Sequence, residues 1–138
     1  MMEKAFLLPL FAIVLLNLLV WLRLYQTRLG EMKRRRIHPQ SVASSAQMAT
    51  LEDTRAADNF RNLFELPVLF YAAVLLIIVS RSDSLVLLAL AWAFVALRYL
   101  HSYIHCTYNR VKDRFSAYLF SGLALWALWG MLAYSWLR

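Results

Sequence analysis

The sequence predicts an all-α integral membrane protein, specifically a four-helix up-down bundle. Of the 138 residues, 62% are hydrophobic, whereas soluble domains contain about 45–50% apolar residues. These residues are gathered in four long blocks that carry almost no charge. The formal net charge of +7 lies mostly between the blocks, where it sets topology and meets anionic lipid headgroups rather than nucleic acid. A single cysteine excludes an intramolecular disulfide.

The first block, residues 5–22, is uncharged and long enough to cross a hydrocarbon core of about 30 Å. A cleaved signal peptide is the alternative. Lys4 is the only basic residue before the block, and the block runs into Trp21, Leu22 and Arg23 rather than a small-residue cleavage site. We therefore predict a retained first helix over about residues 5–25.

Residues 26–56 form the main polar stretch and are predicted to be a cytoplasmic loop. Their basic run, residues 33–36, matches nuclear-localisation or nucleic-acid patches. Because it lies between spanning helices, we interpret it as a membrane-surface anchor and expect no nucleic-acid partner.

Three further helices are predicted over residues 57–80, 84–109 and 114–137, so that residues 1–138 form one transmembrane domain. The turn at residues 81–84 is so short that the second and third helices must be antiparallel neighbours. The fourth block, residues 115–137, has no charged residue, and its aromatic residues lie toward its far end, as interfacial belts require.

Basic residues predict the orientation. The second loop has only Arg81, which Asp83 balances. The first and third loops are rich in basic residues, namely Arg28, Lys33, Arg34, Arg35, Arg36, Arg55 and Arg61 in the first and Arg110, Lys112 and Arg114 in the third. Loops one and three are therefore expected in the cytoplasm and both termini on the other side.

Two polar stripes interrupt the apolar pattern, and intramembrane ionisable groups indicate function by default. The first stripe has offsets of 0, 3, 4 and 7 and comprises Asp58, Arg61, Asn62 and Glu65. These offsets predict a single helical face. It is either a self-satisfied cluster that holds helices in register or part of a ligand site.

The second stripe, on helix three, comprises Arg98, His101, His105 and Asn109. Two histidines four residues apart could chelate a metal with Glu65. No further ligand has a suitable spacing, so we predict no metal and expect the stripe to hydrogen-bond a polar ligand held between helices. With Arg114 and Tyr118 at the same level, the sequence predicts a cationic pocket open to the cytoplasm. It suits a small anionic or zwitterionic ligand, and a hydrophobic second ligand could arrive through the membrane.

The stretch Arg61-Asn62-Leu63-Phe64-Glu65 resembles the arginine-asparagine-x-x-glutamate motif of the MAPEG family (membrane-associated proteins in eicosanoid and glutathione metabolism). Arg98, His101 and His105 are similar to that family's arginine-x-x-histidine-x-x-x-tyrosine pattern. Arg114 stands sixteen residues after Arg98, the spacing of the catalytic arginine in the family's glutathione transferases and prostaglandin E synthase, and Tyr118 is similar to a tyrosine of the prostaglandin synthase. The resemblance covers the whole chain.

The resemblance implies a homotrimer in a bacterial inner membrane, with glutathione bound between neighbouring subunits. Glutathione would be the co-substrate, Arg114 would stabilise its thiolate as the catalytic residue, and Glu65 would bind its amine. The other implied glutathione-binding residues are Arg23 (with Arg28 as the alternative), Arg61, Asn62, Arg98, His101, His105 and Tyr118.

Two residues depart from the family pattern. Asp58 stands where mammalian members have an arginine, and it would repel a glutathione carboxylate unless it pairs with Arg55 or Arg61. His105 replaces a tyrosine. The expected function is a glutathione-dependent membrane transferase or peroxidase acting on lipophilic electrophiles or hydroperoxides. The alternative is a non-catalytic protein of the same fold that binds another polar ligand or serves as a partner subunit.

Overall fold

The computed structural model describes residues 2–82 and 84–137, so Asp83 of the second loop lies outside the described residues. Most of these residues are helical and none forms a strand, which confirms the all-α fold class. A 3-10 turn, Met2–Phe6, leads into the first helix, and a second, Pro39–Val42, lies in the long loop. The α-helices are α1 (Leu7–Arg35), α2 (Ser45–Met48), α3 (Arg55–Asn62), α4 (Leu66–Ser80), α5 (Leu85–Cys106) and α6 (Val111–Leu137).

Four helical stretches in the described part are long and apolar enough to cross a membrane: Lys4–Arg35, Arg55–Ser80, Leu85–Cys106 and Val111–Leu137. They pack around a core that includes the stacked rings of Phe70 and Phe94, whose centroids are 4.7 Å apart. The outer faces expose large apolar side chains such as Phe11, Leu15 and Leu123, which lipid would solvate.

Helix α1 does not end near residue 25 as predicted but continues to Arg35. Its 29 residues would be about 43 Å long, so its last turns extend beyond the hydrocarbon core. Residues 26–35 contain no proline, and the final turn of the helix carries Lys33, Arg34 and Arg35, whose charges favour a helix C-terminus. The helix stops at Arg36, which adopts a left-handed conformation.

The second span is two helices rather than one. Pro67 lies in the first turn of α4. It has no N–H to donate to the carbonyl of Leu63, and its ring would clash with that carbonyl in a continuous helix. The chain therefore breaks between Asn62 and Leu66, with Glu65 outside the helical region at φ −93° and ψ −103°. This break changes the geometry of the first polar stripe, which was predicted to be one continuous face.

Helix α5 ends at Cys106 rather than continuing to residue 109. Asn109 has a positive φ of 49° and donates its backbone N–H to the Ile104 carbonyl at 2.8 Å. Asparagine tolerates this left-handed conformation better than most residues. Asn109 therefore lies in the turn before α6 and does not extend the helical stripe as predicted.

Glu31 fastens the long loop to α1. Its carboxylate is almost fully buried and accepts the backbone N–H groups of Glu52 at 2.8 Å and Asp53 at 3.3 Å. It also accepts a hydrogen bond from Arg35 Nη1 at 2.7 Å. Next to it, Arg55 binds both oxygens of Asp53 and donates to the Thr107 carbonyl. The loop is thereby tied to α1 and to the end of α5.

Candidate functional site

A cavity of about 250 Å³ lies between α5, α6 and the break that separates α3 from α4, at the end of the bundle that carries the basic loops. Three of its lining residues, Glu65, Val111 and Phe115, are exposed at the protein surface, whereas His101 lies at its buried side. The lining residues are Asn62, Glu65, His101, Val111, Arg114, Phe115 and Tyr118. Five of the nine predicted site residues thus share one cavity.

The break before α4 brings Glu65 close to α6. The Tyr118 hydroxyl donates to Glu65 Oε2 at 3.3 Å, a long and therefore weak bond. The carboxylate is exposed and its other oxygen has no hydrogen bond from the described residues. Glu65 is consequently available to accept hydrogen bonds from an ammonium group.

His101 lies against the first turns of α6. Its Nδ1 is 3.1 Å from the backbone carbonyl oxygen of Arg114. A carbonyl oxygen can only accept, so Nδ1 carries the proton and Nε2 of the neutral ring is an acceptor. Nε2 is buried and has no partner within residues 2–82 and 84–137. The ring packs against those of His105 and Tyr118. In the same residues, no group of three histidine, cysteine, aspartate or glutamate side chains could hold a metal ion.

The turn between α5 and α6 positions the Arg114 guanidinium. Its Nη1 donates to Asn109 Oδ1 at 2.7 Å and lies 3.5 Å from His105 Nε2. Both contacts use Nη1, and among the residues that the structure describes the N–H groups of Nε and Nη2 have no partner, so they can bind a ligand. Asn109 was predicted to lie on a helical stripe and was not among the predicted site residues. An asparagine just after a helix was the signal for its turn conformation.

Arg98 lies beneath the cavity and is completely buried. Its guanidinium carbon is 4.8 Å from the centroid of the Tyr118 ring and 5.4 Å from that of Phe94. None of its three guanidinium nitrogens has a hydrogen-bond partner among the described residues. Buried charges are normally paired, so Arg98 is a cation whose flanking rings compensate only part of its lost hydration.

The remaining two predicted residues, Arg23 and Arg61, do not reach this cavity within one chain. Arg23 lines an apolar groove between α1 and α5, next to Tyr103 and Cys106. Arg61 lines a polar cavity between α1, α3 and the long loop, together with Arg28, the predicted alternative to Arg23. The helix break explains the separation of Arg61 from Glu65, because the two residues no longer share one helical face.

Asp58 also lines the polar cavity of Arg28 and Arg61. A pair with Arg55 or Arg61 was the condition under which Asp58 would not repel a glutathione carboxylate. Arg55 instead binds Asp53 at 2.9 Å, and Asp58 forms no ion pair with any described residue. Its carboxylate is therefore unpaired.

Buried polar residues at the neighbouring helix contact were missed by the sequence analysis. Asn59 is fully buried, accepts the Ser102 hydroxyl at 3.2 Å and donates to Cys106 Sγ at 3.4 Å. This cluster joins α3 to α5. Asn59 is adjacent to Asp58 in sequence but points to another face, which the pattern of the first stripe did not single out.

These observations define a class of protein: a multi-pass integral membrane protein with a polar cavity, lined by Arg114 and Glu65 among others, at one end of a four-helix bundle. Residues 6–134 match the family model of the MAPEG family. The chain therefore belongs to the MAPEG family, which confirms the resemblance and supports a membrane protein related to glutathione or eicosanoid metabolism. No curated protein and no solved structure matches the chain.

Proposed function

We propose that the protein is a glutathione-dependent membrane enzyme that transfers glutathione to lipophilic electrophiles or reduces lipophilic hydroperoxides. The observation that carries the proposal is the placement of Arg114. Its guanidinium lines the cavity, is fixed through Nη1 by Asn109, and keeps free N–H groups on Nε and Nη2. Glu65, across the same cavity, offers a carboxylate for the amine of the peptide.

Arg114 would act on the sulfur of glutathione. The thiolate is the nucleophilic form of a thiol, and a guanidinium nearby stabilises the thiolate over the neutral thiol. The proton released would go to solvent, since the cavity opens at residues exposed on the surface. His101 Nε2 and the Arg98 guanidinium, both buried and without partners in the described chain, would hydrogen-bond polar groups of the peptide.

Two reactions follow from a thiolate at this position. With an electrophilic carbon, sulfur forms a C–S bond, and either a leaving group departs with the bonding electrons or an activated double bond accepts them and then a proton. With a hydroperoxide, sulfur attacks the terminal oxygen, the O–O bond breaks and the alcohol leaves after protonation. A second glutathione then converts the resulting sulfenic acid to a disulfide and water.

A homotrimer would complete the site. The cavity volume of about 250 Å³ lies below the range of roughly 300–1,000 Å³ that is usual for ligand pockets, and its outer side is open. Arg23, exposed on another face of the chain, would then contact a carboxylate of the glutathione held by a neighbouring subunit. Family membership supports this assembly.

We also propose that loops one and three face the cytoplasm and that both termini lie on the opposite side of a bacterial inner membrane. Their excess of basic residues supports this orientation. Terminal reporter fusions that are active only in the cytoplasm test it, and an active fusion at either end would contradict it.

Glutathione titration of the purified protein, followed by thiolate ultraviolet absorbance, tests the enzyme proposal. The wild type should develop a saturable thiolate signal, and Arg114→Ala should lose it while retaining its helix content. Arg110→Ala is the matched control, because Arg110 is an exposed arginine in the same turn and lies outside the cavity.

Two results would count against the proposal: no thiolate signal in the wild type at millimolar glutathione, or equal losses in Arg114→Ala and Arg110→Ala. Binding of glutathione without a thiolate signal would favour the alternative, a non-catalytic protein that binds a polar ligand. Turnover with a lipophilic electrophile and with a hydroperoxide would then separate the transferase and peroxidase activities.

A further inference from the structure

The turn between α5 and α6, residues 107–110, carries the residue that holds Arg114. The side-chain oxygen of Asn109 in this turn accepts from Arg114 Nη1 at 2.7 Å. The turn is joined to α5 by two backbone bonds, in which the N–H groups of Thr107 and Asn109 donate to the Ile104 carbonyl at 3.3 Å and 2.8 Å. The position of the Arg114 guanidinium therefore depends on a short segment outside both helices.

Arg55, at the start of α3, reaches this turn from another part of the chain. Its Nη1 donates to the backbone carbonyl of Thr107, which lies 52 residues further along the sequence. Thr107 directly follows α5, and the last carbonyl groups of a helix have no partner within it. The guanidinium therefore caps the C-terminal end of α5, where a positive charge is also favourable.

Asp53 fixes the orientation of Arg55. Its carboxylate accepts from Nε and Nη2 of Arg55, each at 2.9 Å, and its Oδ1 also accepts the Arg55 backbone N–H at 3.2 Å. Nη1 is left to donate to Thr107. A planar guanidinium can donate to both partners at once, whereas a lysine ammonium is a single point charge. The Asp53 backbone N–H is in turn bound by Glu31 at 3.3 Å, so the pair is anchored to α1.

Asn59 keeps α3 against α5, one helical turn after Arg55. It is fully buried, accepts the Ser102 hydroxyl at 3.2 Å and donates to Cys106 Sγ at 3.4 Å. Residues four apart lie on the same face of a helix, so Asn59 and Arg55 both face α5. Helix α3 is thus held in place at the position from which Arg55 reaches beyond the end of α5.

We propose that Arg55 is a positioning residue for Arg114. By capping the Thr107 carbonyl, it fixes the turn in which Asn109 holds the guanidinium of Arg114. The proposal rests on the proposed function, in which that guanidinium stabilises the thiolate of glutathione. Arg55 does not line the candidate active site, so its removal changes thiolate formation and leaves the binding of the peptide itself unaltered.

Arg55→Ala in the purified full chain tests the proposal. Turnover should fall about fivefold, and the pH at which bound thiolate forms should rise. The affinity for S-methylglutathione, which has no thiol to ionise, should stay that of the wild type. Arg34→Ala is the matched control, because it removes an arginine that pairs with Glu52 of the same loop at 2.8 Å and does not contact the turn. It should change none of these quantities.

Asp53→Asn is a second variant, which weakens the hold on the Arg55 guanidinium without removing it. It should shift the pH of thiolate formation in the same direction by a smaller amount, and it tests the proposal even where Arg55→Ala does not fold. A wild-type pH profile in both variants would overturn the proposal, as would equal shifts in Arg55→Ala and Arg34→Ala.

Combining Arg55→Ala with Asn109→Gly shows whether Arg55 acts through the turn. The double variant should lose no more turnover than Asn109→Gly alone, because the contact through which Arg55 acts is already absent. Effects of independent residues multiply instead. A loss in the double variant equal to the product of the two single losses would overturn the proposal.

Hydrogen–deuterium exchange of the turn is a measurement that needs no enzyme activity. The backbone N–H of Asn109 should exchange about tenfold faster in Arg55→Ala than in the wild type and at the wild-type rate in Arg34→Ala. Faster exchange, in a protein whose wild type forms no thiolate, would contradict the enzyme function and leave Arg55 as the residue that holds the turn. An unchanged exchange rate in Arg55→Ala, with thiolate formed as in the wild type, would overturn the positioning role alone.

Discussion

Two buried polar clusters at the same end of the bundle differ in how their hydrogen bonds are satisfied. The carboxylate of Glu31 has three donors, two of them backbone N–H groups of the loop. By contrast, Arg98 has no hydrogen-bond partner for any guanidinium nitrogen, and His101 Nε2 has none either, within residues 2–82 and 84–137.

This difference distinguishes a residue with a structural role from residues that we expect to bind a ligand. Buried polar groups are nearly always hydrogen-bonded, because leaving one unpaired costs about 1–3 kcal/mol. Glu31 has its hydrogen-bond partners within the chain, so its role is to hold the loop. The cluster of Arg98 and His101 does not, and it lies beside an open cavity. We infer that a ligand supplies the missing partners.

The largest effect is expected at the cavity beside Arg98 and His101. Arg114→Ala should lower turnover with glutathione by about 100–1,000-fold, the usual effect of removing one donor that stabilises an anion in an active site. The thermal unfolding midpoint should change little, because Arg114 gives up few contacts within the chain. Steady-state kinetics beside thermal unfolding measures both. A large fall in the midpoint would place Arg114 with Glu31 as a structural residue.

The opposite pattern is expected for Glu31→Gln. An amide keeps one accepting oxygen but places an NH2 donor against one of the two backbone N–H groups, that of Glu52 or that of Asp53, and it removes the charge that Arg35 contacts. We expect a loss of about 2 kcal/mol in the free energy of unfolding and nearly normal turnover per folded molecule. Glu52→Gln is the matched control, because the Glu52 side chain is 61% exposed and its ion pairs should contribute less than about 1 kcal/mol. Equal losses of unfolding free energy in Glu31→Gln and Glu52→Gln would contradict the structural role of Glu31.

Asn109→Gly tests a residue that positions Arg114. Its effect on turnover should lie between those of Arg114→Ala and Glu31→Gln. Glycine retains the positive φ but loses the side-chain oxygen that accepts from Arg114. Turnover should fall about tenfold, and the pH at which bound thiolate forms should rise because Arg114 is less well placed. Asn109→Asp keeps the acceptor and should restore much of the activity. If Asn109→Gly has the pH profile of the wild type, Asn109 does not act through Arg114.

The smallest effect concerns the loop beside Glu31. Hydrogen bonds from the Arg55 side chain lower the pKa of Asp53 below its ordinary value of 3.8. A lowered pKa in the folded state stabilises the fold above the unfolded pKa, and this stabilisation is lost as the pH falls through the folded pKa. Stability should therefore decline below about pH 4 by on the order of 0.5 kcal/mol from this pair. Asp53→Asn should remove that part of the decline in thermal unfolding between pH 5 and pH 3, and an unchanged pH profile would contradict this role.

Much of the fold follows from sequence patterns. Long uncharged blocks predicted four spanning helices, because a segment inside a bilayer must form its backbone hydrogen bonds within the protein. The break before Leu66 was also encoded, in Pro67, but helical periodicity was applied across it. As a result, Asp58 and Arg61 were grouped with Glu65, although the structure separates them.

The candidate site was less predictable because its residues depend on tertiary contacts. Arg114 and Tyr118 were identified through family spacing, but the positioning role of Asn109 required knowing that α5 ends at Cys106. The burial of Glu31 could not be predicted, because Glu31 stands beside a run of basic residues that indicates an exposed segment. Its spacing of four from Arg35 was the only signal. Whether a buried polar residue has hydrogen-bond partners cannot be read from its position in the sequence.

Stabilisation by glutathione tests the contrast between the clusters most directly. A ligand that binds only the folded state raises the unfolding midpoint. We predict that saturating glutathione raises the midpoint of the wild type and of Glu31→Gln by a similar amount, although the second starts lower. In Glu65→Gln, whose starting midpoint should be normal, the increase should be much smaller. An equal increase in Glu65→Gln and the wild type, or loss of the increase in Glu31→Gln, would contradict the account.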